Sequence, residues 1–253
     1  MEKLRADAPG VVRALGVGSA GVIDSGSGLV LSATDVLTGW TGTDLRGDLS
    51  RRLGVPVAVI NDVHAHALGE ARHGAAAGYD TVLYVAVGTG VGASFVLGDT
   101  VLAGAHSAAG HAGHQPSAYA GTLPRTCGGR GHLEAIAAGP ALAAEYVQRT
   151  GRPVADLRAV AALAADGDEA AREVVRRGGA AVGCAVGGLV NVLDPAAVVI
   201  GGGVTGLGEP WRALRDAVPA ETLPALAAVP VLASTLGPDA PLLGAASLAW
   251  KVS

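Results

Sequence analysis

Two apolar strands that each run into a cluster of glycines limit what this chain can fold into more than any other feature. Thr81–Val87, TVLYVAV, enters Gly88-Thr89-Gly90-Val91-Gly92, and residues 93–97 return from it as a further strand. Residues 196–200, AAVVI, end in Gly201-Gly202-Gly203, with a helical stretch lying between the two strands. Glycines at a strand end bring backbone N–H groups up to a ligand with no Cβ in the way, which suits phosphate. No helix follows the first cluster, so it is not the G-x-G-x-x-G dinucleotide fingerprint. A plain glycine-rich hairpin is the alternative, and a single G-x-G does not decide between them.

The apolar spacing predicts further strands over residues 11–17, 29–31, 55–60 and 229–233. It predicts helices over 44–53, 63–73, 134–149, 155–167, 169–193, 210–218 and 241–250, and a helix tail over 2–8 ended by Pro9-Gly10. Such alternation predicts a mostly parallel α/β sheet with sites at strand C-termini. Strand 55–60 delivers Asn61 and Asp62 to one of these ends. A carboxylate there can act as general base toward a docked hydroxyl, or it can cap the helix behind it; position alone favours the cap. His64 and His66 read as surface or supporting residues, and His73 as a charge suited to a helix C-terminus. Cys184 reads as plain core.

Residues 106–134 gather His106, His111, His114, His132, Cys127 and Glu134 among Gly, Pro, Ser and Thr, the composition of a loop. Imidazole and thiolate groups brought together by a loop suit zinc. The spacing lacks a Cys-x-x-Cys pair, so an exposed histidine-bearing loop without metal is an equal alternative.

Composition removes other classes. Aromatic residues make up 3% of 253, so the core is built from Ala, Val and Leu. The formal charge of -4 with no basic run argues against a nucleic-acid surface. Two cysteines make no disulfide framework, and no segment reads as a membrane span or signal peptide. A soluble, cytoplasmic protein is expected.

In order along nearly the whole chain, these pieces resemble the ROK family of repressors, open reading frames and kinases. Asn61-Asp62 matches the family's Asn-Asp after a strand, and Gly88-Thr89-Gly90-Val91-Gly92 its second phosphate loop. Residues 109–114, AGHAGH, match its Glu-x-Gly-His segment, residues 126–134, TCGGRGHLE, its zinc signature, and Val199-Ile200-Gly201-Gly202-Gly203 its adenosine motif. The resemblance implies the actin-like ATPase (ribonuclease H-like) fold, with a small α/β domain over 1–78, a larger one over 79–240, and helix 241–253 packing back on the small one. It implies ATP with Mg2+ as cosubstrate, a small-molecule sugar as substrate and a homodimer as the assembly. Asp62 would be the catalytic base; Asn61, His111, His114, Glu134 and Thr34 would meet the sugar; Gly88, Thr89, Gly90, Gly92, Gly201, Gly202 and Gly203 would meet the nucleotide. Zinc would be held by His114, Cys127 and His132.

Three departures qualify this. Arg125 stands at the first cysteine position of the zinc signature and His132 at the last, which weakens or abolishes the metal site. His111 replaces the usual Glu, and Ser19-Ala20-Gly21 replaces a Pro-Gly turn, both as in bacterial N-acetylmannosamine kinases. No Asp-x-Gly-Gly-Thr loop is found, and Asp24-Ser25-Gly26-Ser27-Gly28 lacks its context, so the N-terminal domain is expected to be incomplete. The expectation is a sugar kinase acting at a 6-hydroxyl, N-acetylmannosamine favoured, impaired by the missing loop. A non-catalytic sugar-binding domain without a DNA-binding region is the alternative. A misplaced start codon is the third reading.

Overall fold

The computed structural model describes residues 10–33, 37–124 and 128–253. The expected helix over 2–8 and the candidates Thr34, Arg125 and Cys127 lie outside the described residues. The chain forms two compact units. The first comprises Met1–Gly78, Ser94–Ala109 and Thr235–Ser253; the second comprises Tyr79–Ala93 and Gly110–Ser234. Ser94–Ala109, which chain order assigned to the larger domain, therefore belongs with the first unit.

In the first unit, β1 (Leu15–Ser19) runs parallel to β4 (Val57–Asn61), with Leu15 opposite Val57 and Ser19 opposite Asn61. The strand expected over 11–17 starts four residues later, because pairing begins at Leu15 and Val11 is 90% exposed. Between them β2 (Val22–Asp24) and β3 (Leu29–Ser32) form an antiparallel hairpin. β2 is three residues long, too short to show a period. Its turn is the Asp24–Gly28 segment: Asp24 accepts from the Gly26 N–H at 2.9 Å and the Ser27 hydroxyl at 2.6 Å. Those bonds, Ser27 first, hold the Asp24 carboxyl below the usual range. α1 (Leu45–Leu53) is capped by Asp44 and ended by Gly54 in the left-handed region. Ile23, Val30, Leu45, Val57 and Val59 form the core beneath these elements.

α2 (Asp62–His73) follows β4 directly. Small residues let α8 (Ala240–Ala249) approach it at backbone distance. A Cβ on Gly69 would collide with the Ala240 carbonyl, one on Gly244 with the Ala65 carbonyl, and one on Gly16 of β1 with the Ala245 carbonyl. α8 is thus seated on both α2 and β1 by three glycines. β6 (Val91–Leu97) ends in this unit and turns through Gly98 into a short β7 (Thr100–Val101) that spacing did not reveal.

In the second unit β5 (Thr81–Val87), β8 (Ala197–Gly201) and β9 (Val231–Ala233) run parallel, Val82 opposite Ala197 and Val198 opposite Val231. The helix expected over 134–149 is two: α3 (Glu134–Ala137) and α4 (Gly139–Thr150). Ala138 is extended, and Pro140 in the first turn of α4 has no N–H to continue α3. α5 (Leu157–Ala165) and α6 (Glu169–Leu193) follow, and Leu142, Tyr146, Val160, Ala164, Val174 and Val175 bind α4, α5 and α6 into one core. α7 (Glu209–Glu221) runs past the expected 218, with Pro219 inside it. Among the described residues no helix is long and apolar enough to cross a membrane.

Candidate active site

The site candidates in the first unit stand where β4 meets α2. Four buried residues, Val57 to Ile60, carry β4 to the half-buried Asn61. The Asn61 side chain caps α2: Oδ1 accepts from the Val63 N–H at 2.9 Å and the His64 N–H at 3.2 Å. Its Nδ2 donates to the Gly21 carbonyl at 2.9 Å, tying the cap to the turn after β1. Asn61 therefore does the capping that position alone favoured for Asp62. Asp62 is the first helical residue, and its Oδ1 meets only the neighbouring Val63 N–H at 2.9 Å. Among the described residues no hydrogen bond reaches Oδ2.

The two histidines behind Asp62 differ. His64 is 4% exposed, which removes the surface alternative and leaves the supporting one, and its Nε2 donates to the Ala109 carbonyl at 3.0 Å. His66 Nδ1 donates to the Asp62 carbonyl at 2.9 Å, one helical turn back. His73 ends α2 and adds a 3.1 Å contact to the Ser247 hydroxyl.

In the second unit the glycine turn, the histidine segment and Glu134 come together. The Gly88 N–H donates to the Gly90 carbonyl at 2.9 Å, and the Gly139 N–H at the start of α4 donates to the Gly88 carbonyl at 2.8 Å. Gly88 and Thr89 are exposed at the tip. Gly110, at φ 94°, accepts from the Ala93 N–H at 2.6 Å and starts the turn that carries a short 3-10 segment, Ala112–His114. The imidazole rings of His111, His114 and His132 follow one another, with centroids 6.0 Å and 5.7 Å apart. The Leu133 N–H bonds to the Gln115 carbonyl at 2.8 Å and the Ser117 N–H to the Gly131 carbonyl at 2.9 Å, so the loop folds back and returns His132 beside His114. The Glu134 Oε2 accepts from the Val91 N–H at 3.0 Å.

The glycines after β8 divide by role. A Cβ on Gly201 would collide with the Tyr84 hydroxyl, and one on Gly202, at φ 85°, with the Val87 carbonyl. Packing in the sheet requires both. Gly203, which opens a 3-10 turn, has nothing within 4 Å of where its Cβ would be.

The ROK family model matches residues 1–252. The chain belongs to the ROK family.

Its fold is the actin-like sugar kinase fold of that family. A ROK hexokinase from Thermus thermophilus is 35% identical, with a TM-score of 0.88 over 99% of this chain and 83% of its own. A ROK family glucokinase from Streptomyces griseus, solved with glucose and AMPPNP, is 30% identical, with a TM-score of 0.80 over 96% of this chain and 83% of its own. The N-acetylmannosamine kinase of Haemophilus influenzae is 30% identical over 246 residues, 96% of this chain and 79% of its own length.

Among the described residues no group of three His, Cys, Asp or Glu side chains is placed to hold a metal. His114 and His132 form a pair, and Cys127, the third ligand the family implies, is outside the described residues. Cys184 also departs from its expected place in the core: it is half-buried, with the Tyr119 hydroxyl 3.7 Å from its sulfur. Burial pushes the thiol up, out of the reactive range.

Sequence reasoning missed Glu70. It is 0% exposed, and N–H donors of the first unit meet its carboxylate. The carboxylate accepts from the N–H groups of Ala75 at 2.8 Å, Thr235 at 3.1 Å and Leu236 at 2.9 Å. It fastens the end of α2, whose start carries Asp62, to the chain leading into α8. A signal was present: an acid set among the small and apolar residues Ala67-Leu68-Gly69 and Ala71.

Proposed function

We propose that this ROK protein transfers the γ-phosphate of ATP to the 6-hydroxyl of a hexose or N-acetylhexosamine, with N-acetylmannosamine the favoured acceptor. The observation that carries this is the division of labour at the start of α2. Because Asn61 supplies the cap, the Asp62 carboxylate is left with one bond to its neighbour's N–H and an oxygen available for a hydroxyl proton.

Asp62 would take the proton of the 6-hydroxyl as that oxygen attacks the γ-phosphorus, which breaks its bond to the bridging oxygen and leaves ADP. The turn of residues 88–92 would present N–H groups to the phosphates, and open space at Gly203 suits the nucleotide side. Magnesium on the phosphate oxygens would neutralise charge that builds up during transfer. His111, His114 and Glu134 would orient the sugar. The preference for an acetamido sugar rests on His111: imidazole can donate to the acetamido carbonyl, which the carboxylate it replaces cannot do. Asn61 would meet the sugar through the second N–H of its Nδ2, the first being given to the Gly21 carbonyl.

A homodimer completes the proposal; His114 and His132 with Cys127 would hold zinc weakly at best, because Arg125 stands at the first cysteine position of the family's signature. A second reading is a domain that binds sugar without phosphorylating it. Incubation with ATP, magnesium and either N-acetylmannosamine or glucose, followed by mass spectrometry of the sugar, separates the readings. Sugar phosphate that disappears in Asp62→Asn supports the kinase. Calorimetric binding of N-acetylmannosamine with no product supports the binding domain, and neither binding nor product contradicts both.

A further inference from the structure

We propose that Glu134 is a positioning residue that holds the glycine turn of residues 88–92 in shape and couples it to the histidine segment. The turn's role toward nucleotide rests on the kinase reading; the strut itself rests on geometry alone. The Glu134 Oε2 accepts from the Val91 N–H at 3.0 Å. The same oxygen lies 2.8 Å from where a Cβ on Gly90 would stand and 3.0 Å from where one on Gly113 would stand. One carboxylate oxygen thus fills the space beside two glycines from different segments, one in the turn and one between His111 and His114.

The two glycines answer to Glu134 differently. A Cβ on Gly113 would also come within 2.5 Å of the Val91 carbonyl, so backbone crowding alone forbids a side chain there. Among the described residues, and leaving aside its chain neighbours, only the Glu134 carboxyl group comes within 4 Å of the Cβ position on Gly90. The Gly90 backbone is not in the left-handed region either. Gly90 is therefore a glycine because Glu134 occupies the space its side chain would need. The opposite end of the turn is tied by the Gly139 N–H to the Gly88 carbonyl at 2.8 Å. Helix α3, which Glu134 begins, and the first residue of α4 thus brace both ends of the turn. A sugar that shifts Glu134 would shift the turn with it, which links occupancy of the histidine segment to the shape of the phosphate cradle.

The test titrates AMPPNP with magnesium, and separately N-acetylmannosamine, into the full chain and four variants: Glu134→Gln, Glu134→Ala, Gly90→Ala and the double variant Gly90→Ala with Glu134→Ala. Amide hydrogen exchange at Val91 is followed in each. Losing a charge-assisted hydrogen bond should weaken AMPPNP binding about tenfold in Glu134→Ala, with a smaller change in sugar affinity. Glu134→Gln, whose amide oxygen still accepts from Val91, should stay within about threefold of the parent. Gly90→Ala alone should weaken AMPPNP and speed Val91 exchange by displacing the carboxylate. Added to Glu134→Ala it should change nothing further, because the space is then open. Equal loss of sugar affinity in both Glu134 variants, with AMPPNP binding and Val91 exchange unchanged, would overturn the proposal. So would additive effects of Gly90→Ala and Glu134→Ala. If the parent chain binds no AMPPNP, the kinase reading fails, and Val91 exchange in Glu134→Ala still decides whether the strut exists.

Discussion

Asn61 and Asp62 are adjacent, chemically similar and divided in role by their place at the start of α2, Asn61 as the cap and Asp62 as the first helical residue. A cap must reach forward to the second and third N–H groups of its helix, and Asn61 does so while Asp62 is already helical. Asp62→Asn should therefore leave stability and sugar affinity nearly intact and lower turnover by about 10²- to 10⁴-fold, as expected for loss of a general base. Asn61→Ala should cost about 1 kcal/mol of stability from the cap and misplace Asp62 as a second effect. Glu70 behaves differently, because its buried carboxylate is held by the N–H of Ala75, five residues on, and by those of one distant segment, Thr235 and Leu236. Glu70→Gln sets an amide NH2 against those donors and should lower unfolding free energy by about 3 kcal/mol in urea titration.

Asp168 makes acid stability testable at a single residue. It caps α6 by accepting from the Ala171 N–H, pairs with Arg152 and accepts from the Tyr146 hydroxyl at 3.0 Å. These contacts, the Ala171 N–H foremost, lower its pKa from 3.8 to about 2. The folded value lies below the unfolded one, so the contribution is complete above about 4 and is lost as pH falls toward 2. Asp168→Asn should flatten the fall in urea midpoint across that window and leave the slope above it unchanged.

At the scale of elements, glycine spacing explains packing that hydrophobic periodicity does not. Gly179, Gly183 and Gly187 form a stripe along α6 at intervals of four, and α7 lies against it. A Cβ on Gly179 would stand 2.5 Å from the Pro210 carbonyl, one on Gly187 would stand 2.7 Å from that of Val218, and one on Gly183 would collide with that of Leu214. The contacts step by four residues on both helices, so two i, i+4 ridges meet at backbone distance. Gly183→Val should therefore destabilise by about 1–3 kcal/mol or more, since backbone cannot yield as a side chain does. Gly188, one residue past the stripe, is exposed with nothing within 4 Å of its Cβ position. Gly188→Ala should stabilise by about 0.5–1 kcal/mol. Thermal melts of the two variants should move in opposite directions.

For the whole molecule, the alternation of strands and helices was legible because each long element carries its own period, as α6 and β5 do. The short β2 and β7 were not, since two or three residues show no period. The break between α3 and α4 was readable in Pro140 and overlooked because the apolar spacing continues across it. Family membership was legible in motifs dispersed from Asn61 to Gly203, and the match over residues 1–252 agrees. Which glycines serve a ligand was not legible: Gly201 and Gly202 carry the motif yet are explained by Tyr84 and Val87, while Gly203 and the turn at Gly88 have open space. Glu134 shows the same limit, since its bond to Val91 joins residues 43 apart in sequence.

The most direct test of the central claim is a competition. The chain is incubated with ATP, magnesium and equal amounts of N-acetylmannosamine and glucose, and the phosphorylated sugars are quantified by mass spectrometry. N-acetylmannosamine 6-phosphate should predominate, and Asp62→Asn should remove it. Predominant glucose 6-phosphate would contradict the role given to His111, and product that persists in Asp62→Asn would contradict the role given to Asp62.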